Sequence, residues 1–207
     1  MNKDFLRETL VQNGFDYQEL VNNIRRKVEE TDSLKLDGRS KKRFQIIKLN
    51  YQRYLRIQKT FKVSDALKKI IAAINKPQLW LIITEESCGD SAQTIPCIYN
   101  ISQMNPKITL RFLYRDENVE IMDRFLTNGK RRIPKLIAFD KEGNEMFQWG
   151  PRPGEADKLF YHIRDDEGRG KDAALEKVHL WFGKDRCKSF NQEFFDLLTQ
   201  KKLLIRN

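Results

Sequence analysis

One cysteine of this chain lies where a thiol can serve as a nucleophile. Residues 88–91 read Cys-Gly-Asp-Ser and stand between an apolar run at 80–83 and a helical pattern at 92–104. Cys88 is therefore predicted at a helix N-terminus, where backbone N–H groups and the helix dipole favour a thiolate. Further along the chain, Ile133 and Pro134 lead into a second apolar run at 136–139. A thiol at a helix start, with an X-Pro before a strand, predicts a site for thiol–disulfide chemistry.

The second thiol of a dithiol site is missing from this motif, because Ser91 stands where a resolving cysteine would be. Nine residues separate Cys88 from Cys97, which along a helix is about 13 Å and the opposite face. A disulfide needs Cα atoms within roughly 7 Å. Cys187 is expected in an exposed turn between helices and can approach only through the tertiary fold. Cys88 is thus predicted to act as a single thiol, with the alternative that it is unreactive.

Three carboxylates flank the motif, at Glu85, Glu86 and Asp90. The charge of Asp90 is expected to oppose a thiolate and to offset part of the helix dipole. No base stands beside these residues in the sequence, so we expect a solvent-exposed loop rather than acid–base machinery. The two histidines, His162 and His179, are not at ligand spacing from a cysteine. We therefore predict no metal and no cofactor.

A basic stretch at 38–64 holds nine Lys or Arg residues and no acid, with Tyr and Phe between them. Such a stretch can bind nucleic acid, anionic lipid or an acidic partner. The alternative, a solvated helix face, is favoured because no nucleic-acid motif accompanies the charge. The candidate polyanion-binding residues are Lys41, Lys42, Arg43, Arg53 and Arg56.

The elements that must position Cys88 follow an α/β order. Up to residue 77 the apolar residues recur at helical spacing, first at Phe5, Leu6, Leu10 and Val11 and then in helices after Asp16, at 40–60 and at 65–75. From residue 78 the pattern is β-α-β-α-β-β-α, which predicts a mixed sheet. The strands are predicted at 79–84, 108–114, 135–139 and 145–149, with helices at 92–104, at 119–126 and after 154, and two more near the C-terminus.

Charge divides the chain in the same way. The net charge is +10 over 207 residues, and residues 1–78 carry 18 Lys and Arg against 9 Asp and Glu. We predict a basic helical extension at 1–77, an α/β core at 78–165 and helices packed on it at 166–207. The three cysteines argue against a disulfide framework. No run reaches the roughly 18 apolar residues of a membrane span and the N-terminus has no signal-peptide core, so we predict no membrane insertion and a cytoplasmic location.

These motifs resemble the thioredoxin family. The Cys-Gly-Asp-Ser of residues 88–91 stands where thioredoxins have Cys-Gly-Pro-Cys, Pro96 matches the proline inside the following helix, and Pro134 matches the cis-proline. The chain is more similar still to a bacterial branch with a helical N-terminal extension. That branch carries Thr-Glu-x-x-Cys-Gly-Asp-Ser/Ala-Ala-Gln, Arg-Asp-Glu-Asn, Ile-Pro-Lys-Leu-Ile and Trp-Gly-Pro-Arg-Pro, seen here at 84–93, 115–118, 133–137 and 149–153. Two positions differ: Ser87 replaces the Trp that is usual in thioredoxins and in this branch, and Ser91 replaces the second Cys of redox-active thioredoxins.

The resemblance implies a thioredoxin-like fold with added N- and C-terminal helices. It implies monothiol oxidoreductase chemistry with Cys88 and Ser91 as the catalytic residues, and Ile133 and Pro134 as the substrate-binding residues beside them. The partner would be a protein disulfide or a low-molecular-weight thiol. The alternative is a non-catalytic binding module that uses the same groove or the basic N-terminal surface.

Overall fold

The computed structural model describes residues 10 and 13–202. Of the predicted first helix, Phe5, Leu6 and Val11 lie outside these residues. Three helices precede the sheet: α1 (Tyr17–Glu30), α2 (Gly38–Thr60) and α3 (Asp65–Ala72). An N-cap residue precedes each helix, and its side chain accepts a hydrogen bond from a free backbone N–H of the first turn. The three N-cap residues are Asp16, Asp37 and Ser64. The cap at Asp37 is why α2 begins before the predicted residue 40.

Four strands form one mixed sheet in the order β2-β1-β3-β4. They are β1 (Gln78–Thr84), β2 (Ile108–Tyr114), β3 (Lys135–Asp140) and β4 (Glu145–Trp149). The β1–β2 pair is parallel, and the β1–β3 and β3–β4 pairs are antiparallel. The predicted order and the mixed sheet are confirmed.

The remaining helices are α4 (Gly89–Ser102), α5 (Val119–Met122), α6 (Gly154–Tyr161), α7 (Gly170–Asp185) and α8 (Lys188–Lys202). A π-helical turn, His162–Asp166, continues α6. Helix α5 ends before the predicted residue 126, because the backbone continues in tighter turns in which the N–H groups of Arg124 and Phe125 bond to carbonyls three residues earlier. No helix in the described part of the chain is both long and apolar enough to cross a lipid bilayer.

Both faces of the sheet are covered. Successive side chains of a strand point to opposite faces. Trp80 and Ile82 of β1 join a core built with α1–α4 and α8, whereas Leu81 and Ile83 join a smaller one with α5. Burial on both sides explains why β1 is a continuous apolar run. A third cluster joins α6, the π-helical turn and α7, and these helices stand beside the start of α4.

Candidate functional site

Cys88 is the N-cap of α4. The Cys88 N–H donates to the Glu85 carbonyl at 3.0 Å, which closes a turn between β1 and the helix. The backbone N–H of Ser91 then donates to the Cys88 Sγ at 3.4 Å. The sulfur thus takes the position that a hydroxyl or carboxylate oxygen has in most N-caps. The local sequence therefore folds so that the thiol faces the free N–H groups of the helix.

The loop that leads into β3 lies against this thiol. The Ile133–Pro134 peptide bond is cis, and the Cys88 thiol donates to the Ile133 carbonyl at 3.4 Å. Behind the proline, Gly150 has a φ of +115°, and a Cβ there would lie 2.2 Å from the Pro134 carbonyl oxygen. Only glycine fits at that position. The structure thus brings Cys88, Ile133 and Pro134 together.

Ser91 contributes through its backbone rather than its hydroxyl. Its Oγ is buried and accepts a hydrogen bond from the Thr84 hydroxyl at 2.8 Å. Its backbone N–H is the group that reaches the Cys88 sulfur. In this arrangement the Ser91 side chain fixes the end of β1 against the first turn of α4.

The expectation that the flanking carboxylates form a solvent-exposed loop is wrong. Glu85, Glu86 and Asp90 are all buried. A Glu85 oxygen accepts the backbone N–H of Asp116 at 2.9 Å. The partners of these carboxylates come from distant parts of the chain, so nothing in the neighbouring sequence indicates the burial.

Glu86, in the loop between β1 and Cys88, bonds to residues of three other elements, β2, α1 and α2. Its side chain accepts a hydrogen bond from the Tyr114 hydroxyl at 3.0 Å and pairs with Lys27 of α1. The Asn50 amide of α2 donates to the Glu86 carbonyl at 3.0 Å. The loop is thereby held by the N-terminal helices as well as by the sheet.

Asp90 forms a buried ion pair that sequence reasoning missed. The Arg152 Nη2 lies 2.6 Å from the Asp90 Oδ2, and each side chain is only 6% exposed. The guanidinium also stacks 4.4 Å above the Phe160 ring centroid. Its Nη1 has no hydrogen-bond partner among the described residues. Arg152 was visible in the sequence only as part of the Trp-Gly-Pro-Arg-Pro segment.

Cys88 opens onto a cleft of about 680 Å³. One wall is α2, another is the loop before β3, and the third is α6, the π-helical turn and α7. Two carboxylates, Glu85 and Asp90, line it against eight cationic side chains, so the cleft is basic. The cationic residues are Arg53, Arg115, Lys130, Arg131, Arg132, Arg152, Arg164 and Lys171.

Of the five candidate polyanion-binding residues, the structure brings only Arg53 to this cleft. Arg53 is half-buried and donates to the Asn50 side chain at 3.1 Å. The other four are exposed on α2 and lie outside the cleft lining: Lys41, Lys42, Arg43 and Arg56. Binding of a polyanion through these residues stays a prediction.

His179 of α7 lies over the start of α4. A Cβ placed on Gly89 would be 2.5 Å from the imidazole Nε2, so the backbone beside Cys88 is in direct contact with the ring. Burial, with Arg53 and Arg152 adding to it, lowers the pKa of His179 to about 4. The imidazole is therefore neutral at pH 7. Only the packing of α7 places it here, and its position in the sequence gave no signal.

The thiol itself is protonated at neutral pH. Burial raises the pKa of Cys88 to about 11, and the Asp90 charge adds to the increase, while the bond from Ser91 opposes it. The expected electrostatic effect of Asp90 is therefore present. Burial likewise raises the pKa of Asp90 to about 6, against the attraction of Arg152. Helix position alone does not produce a thiolate here, because desolvation outweighs it.

Comparison with known proteins bears on the fold. The chain is similar to a protein of unknown function, PA1234 from Pseudomonas aeruginosa, with 14% identity and a TM-score of 0.56 over 73% of this chain and 85% of that one. It is also similar to an HIV epitope-scaffold, with 14% identity and a TM-score of 0.55 over 90% of this chain and 99% of that one. No curated protein matches the sequence significantly.

A family model described as Thioredoxin matches residues 43–168. The match spans most of α2, all four strands, the Cys88 motif and the cis-proline loop, which is more than half of the chain. The closer likeness to a bacterial branch with an N-terminal extension stays a prediction. On this match and the fold together, the chain belongs to the thioredoxin family.

Proposed function

We propose that Cys88 catalyses thiol–disulfide exchange as a single thiol, on small anionic disulfides rather than on protein disulfides. The observation that carries the proposal is the position of the sulfur. It lies at the start of α4, 3.4 Å from the Ile133 carbonyl, and opens onto a cation-lined cleft.

The shape of the cleft favours a small substrate. Its volume of about 680 Å³ is within the range of roughly 300–1,000 Å³ usual for small-molecule sites. Pro134 is buried and Ile133 half-buried, so the backbone that would pair with an extended peptide is not openly exposed. The walls that α2 and α7 form around Cys88 therefore favour a small disulfide over a folded protein as the substrate.

The charge of the cleft favours an anion. Five of the eight cationic side chains have a carboxylate partner: Arg115, Arg131, Arg132, Arg152 and Arg164. The other three, Arg53, Lys130 and Lys171, form no ion pair with a carboxylate in the described part of the chain. These three remain available to carboxylate or phosphate groups of a ligand.

The reaction balances without a second cysteine. The Cys88 sulfur attacks one sulfur of a disulfide R–S–S–R′, the S–S bond breaks, and Cys88–S–S–R forms. The departing R′S⁻ takes up the proton that Cys88 loses. A free thiol RSH then attacks the R sulfur, which yields R–S–S–R and returns the proton and the thiol to Cys88.

The raised pKa slows this reaction only moderately. An increase from 9 to about 11 lowers the thiolate fraction at pH 7 about 100-fold, while the more basic thiolate is about tenfold more nucleophilic. The net loss is about tenfold. Binding next to the sulfur offsets such a loss, because effective concentrations in oriented reactions reach about 10⁵ M or more.

The same raised pKa favours a second candidate, a non-catalytic protein that binds a small anion in the cleft without covalent chemistry. Exchange and binding are separated by one experiment. The Cys97→Ser/Cys187→Ser protein is mixed with glutathione disulfide (anionic), hydroxyethyl disulfide (neutral) and cystamine (cationic), and mixed disulfide at Cys88 is followed by mass spectrometry. We expect the fastest reaction with glutathione disulfide and a decrease of that preference at high salt.

Matched variants locate the effect. Arg53→Gln should reduce the preference for the anionic disulfide, whereas Arg56→Gln, outside the cleft, should not. Exchange would be rejected if glutathione disulfide binds to the Cys88→Ser protein but forms no mixed disulfide with the protein that retains Cys88. The non-catalytic binding protein would then be the remaining candidate. Equal rates with all three disulfides would reject the anionic substrate.

A further inference from the structure

Two cysteines that are distant in the sequence meet on the side of α4 away from its active-site end. Cys97 lies inside α4 and is fully buried, and Cys187 lies in the turn between α7 and α8. Their sulfur atoms are 3.2 Å apart, with the Cys97 thiol donating to the Cys187 Sγ. Cys187 does lie in the predicted turn between helices, but the expected exposure is wrong, since the residue is half-buried against this partner.

We propose that Cys97 and Cys187 are a second redox centre, which is converted by small disulfides into an intramolecular disulfide bond. The inference does not depend on the proposed function of Cys88, because it needs neither the cleft nor the Cys88 thiol. Both sulfurs are free thiols in this structure.

The backbone holds Cys187 toward Cys97. Arg186 and Cys187 both have left-handed conformations, with φ of 51° and 62°, which turn the chain sharply between two helices. Asn191 fixes the turn, because its backbone N–H and its side-chain amide both donate to the Cys187 carbonyl. The same amide bonds to the Lys62 carbonyl at 3.1 Å, and the Asn191 Oδ1 accepts the Ser64 N–H. The turn is thereby tied to the start of α3 as well.

A bond requires only a small movement. A disulfide brings two sulfurs to about 2 Å, so the side chains must approach by about 1 Å from their present contact. No residue stands between the two atoms, which already share a hydrogen bond. Rotations of a few tens of degrees about the two χ1 angles move a sulfur by about this much.

The order of the steps follows from accessibility. Cys187 is half-buried and Cys97 fully buried, so a disulfide R–S–S–R meets Cys187 first. The hydrogen bond from Cys97, with help from the Arg56 charge and against burial and the Asp185 charge, lowers the pKa of Cys187. Attack by Cys187 gives Cys187–S–S–R and one RSH. Cys97 then attacks the Cys187 sulfur, which forms the Cys97–Cys187 bond and releases the second RSH, so two thiols are oxidised and one disulfide is reduced.

The new bond would join α4, which Cys88 caps, to the turn that follows α7, the helix that carries His179. It would close a loop of about 90 residues, and loops of this length gain the most from a cross-link. We expect the melting temperature of the oxidised protein to rise by about 10 °C.

The test uses Cys88→Ser protein, in which this pair is unchanged. After incubation with glutathione disulfide at pH 8, we expect an intact mass lower by two hydrogens, a peptide linking residues 97 and 187, and no thiol titratable after unfolding. Under the same conditions the Cys88→Ser/Cys97→Ala protein should stop at a glutathione adduct on Cys187.

Two results would overturn the inference. One is Cys88→Ser protein that still has two titratable thiols in the unfolded state after incubation with glutathione disulfide. The other is glutathione adducts without a 97–187 peptide. The Cys88→Ser/Cys187→Ser protein serves as a second control that leaves the buried position intact, and its Cys97 is expected to stay unmodified.

Discussion

At the residue scale, Cys88 lies beside a cluster of two buried ionisable groups, Asp90 and Arg152, and the half-buried His179. Asp90 and Arg152 neutralise each other at 2.6 Å, and the neutral imidazole of His179 covers Gly89. The thiol is thus surrounded by groups that are desolvated together. Burial and the Asp90 charge keep the thiol protonated, although the sequence alone would suggest the helix dipole as the dominant influence.

The Asp90→Asn substitution is expected to lower the pKa of Cys88 from about 11, because it removes the charge that opposes the thiolate. The measurement is the rate of alkylation by iodoacetamide against pH in Cys97→Ser/Cys187→Ser protein. Asp65→Asn, at an exposed carboxylate that pairs with Lys68 and lies outside the cleft lining, serves as the control and should leave the profile unchanged. An unaltered profile in the Asp90 variant would show that burial alone sets the pKa.

Asp90 and His179 are expected to oppose each other in the pH dependence of stability. Burial raises the pKa of Asp90 to about 6. Its contribution to the free energy of unfolding is therefore full below about pH 4 and is lost as the pH rises through 6. Burial lowers the pKa of His179 to about 4, so its contribution is full above about pH 6.5 and lost as the pH falls through 4. Each amounts to about 3 kcal/mol at most.

Urea unfolding between pH 4 and pH 6.5 separates the two groups. In the Asp90→Asn protein only the effect of His179 remains, so the free energy of unfolding should decrease toward pH 4. In the His179→Gln protein only the effect of Asp90 remains, so the free energy of unfolding should decrease toward pH 6.5. Slopes of the same sign in both variants would contradict the assignment.

At the element scale, the start of α4 depends on helices that are distant in sequence. Asn50 of α2 holds the Glu86 carbonyl, and His179 of α7 lies on Gly89. Strands β2 and β4 have the bounds that their apolar and alternating patterns predict, since a strand pattern is local. The burial of Glu86, the Arg152 pair and the contact of Cys187 with Cys97 could not be predicted, because each depends on how separate helices pack.

Gly89→Ala is expected to destabilise the protein by about 1–3 kcal/mol, because the new Cβ would lie 2.5 Å from the His179 ring. A second change, His179→Ala, should recover part of this loss, and the recovery measures the contact between α4 and α7. Gly38→Ala at the first residue of α2 is the control, since a Cβ there meets nothing within 4 Å. Equal stability of Gly89→Ala and Gly38→Ala would show that the two helices do not touch at this point.

At the scale of the whole molecule, the principal core joins the sheet to both ends of the chain. Trp80 of β1 lies 6.3 Å from the Phe194 ring of α8, and Trp149 of β4 lies 5.3 Å from it. Leu20 of α1 belongs to the same cluster. The predicted division at residues 77 and 165 stays a prediction, and a core shared in this way favours one cooperative unit over separable parts.

Phe194→Ala is expected to cost about 3–5 kcal/mol, since the ring is fully buried. Tryptophan fluorescence and far-UV circular dichroism should report the same unfolding transition, because two of the three tryptophans, Trp80 and Trp149, contact this ring. Leu180→Ala, at a side chain that is 55% exposed, should change little. A fluorescence transition that precedes the loss of helix would indicate that α8 detaches on its own.

The buried pair of Asp90 and Arg152 also has an evolutionary consequence. Loss of either partner leaves a single charge in the interior, at a cost of about 3–5 kcal/mol, whereas replacing both by apolar residues is often neutral. Descendants of this sequence should therefore change the two positions in concert. Asp90 of the Cys-Gly-Asp-Ser motif and Arg152 of Trp-Gly-Pro-Arg-Pro would then covary, although 61 positions lie between them.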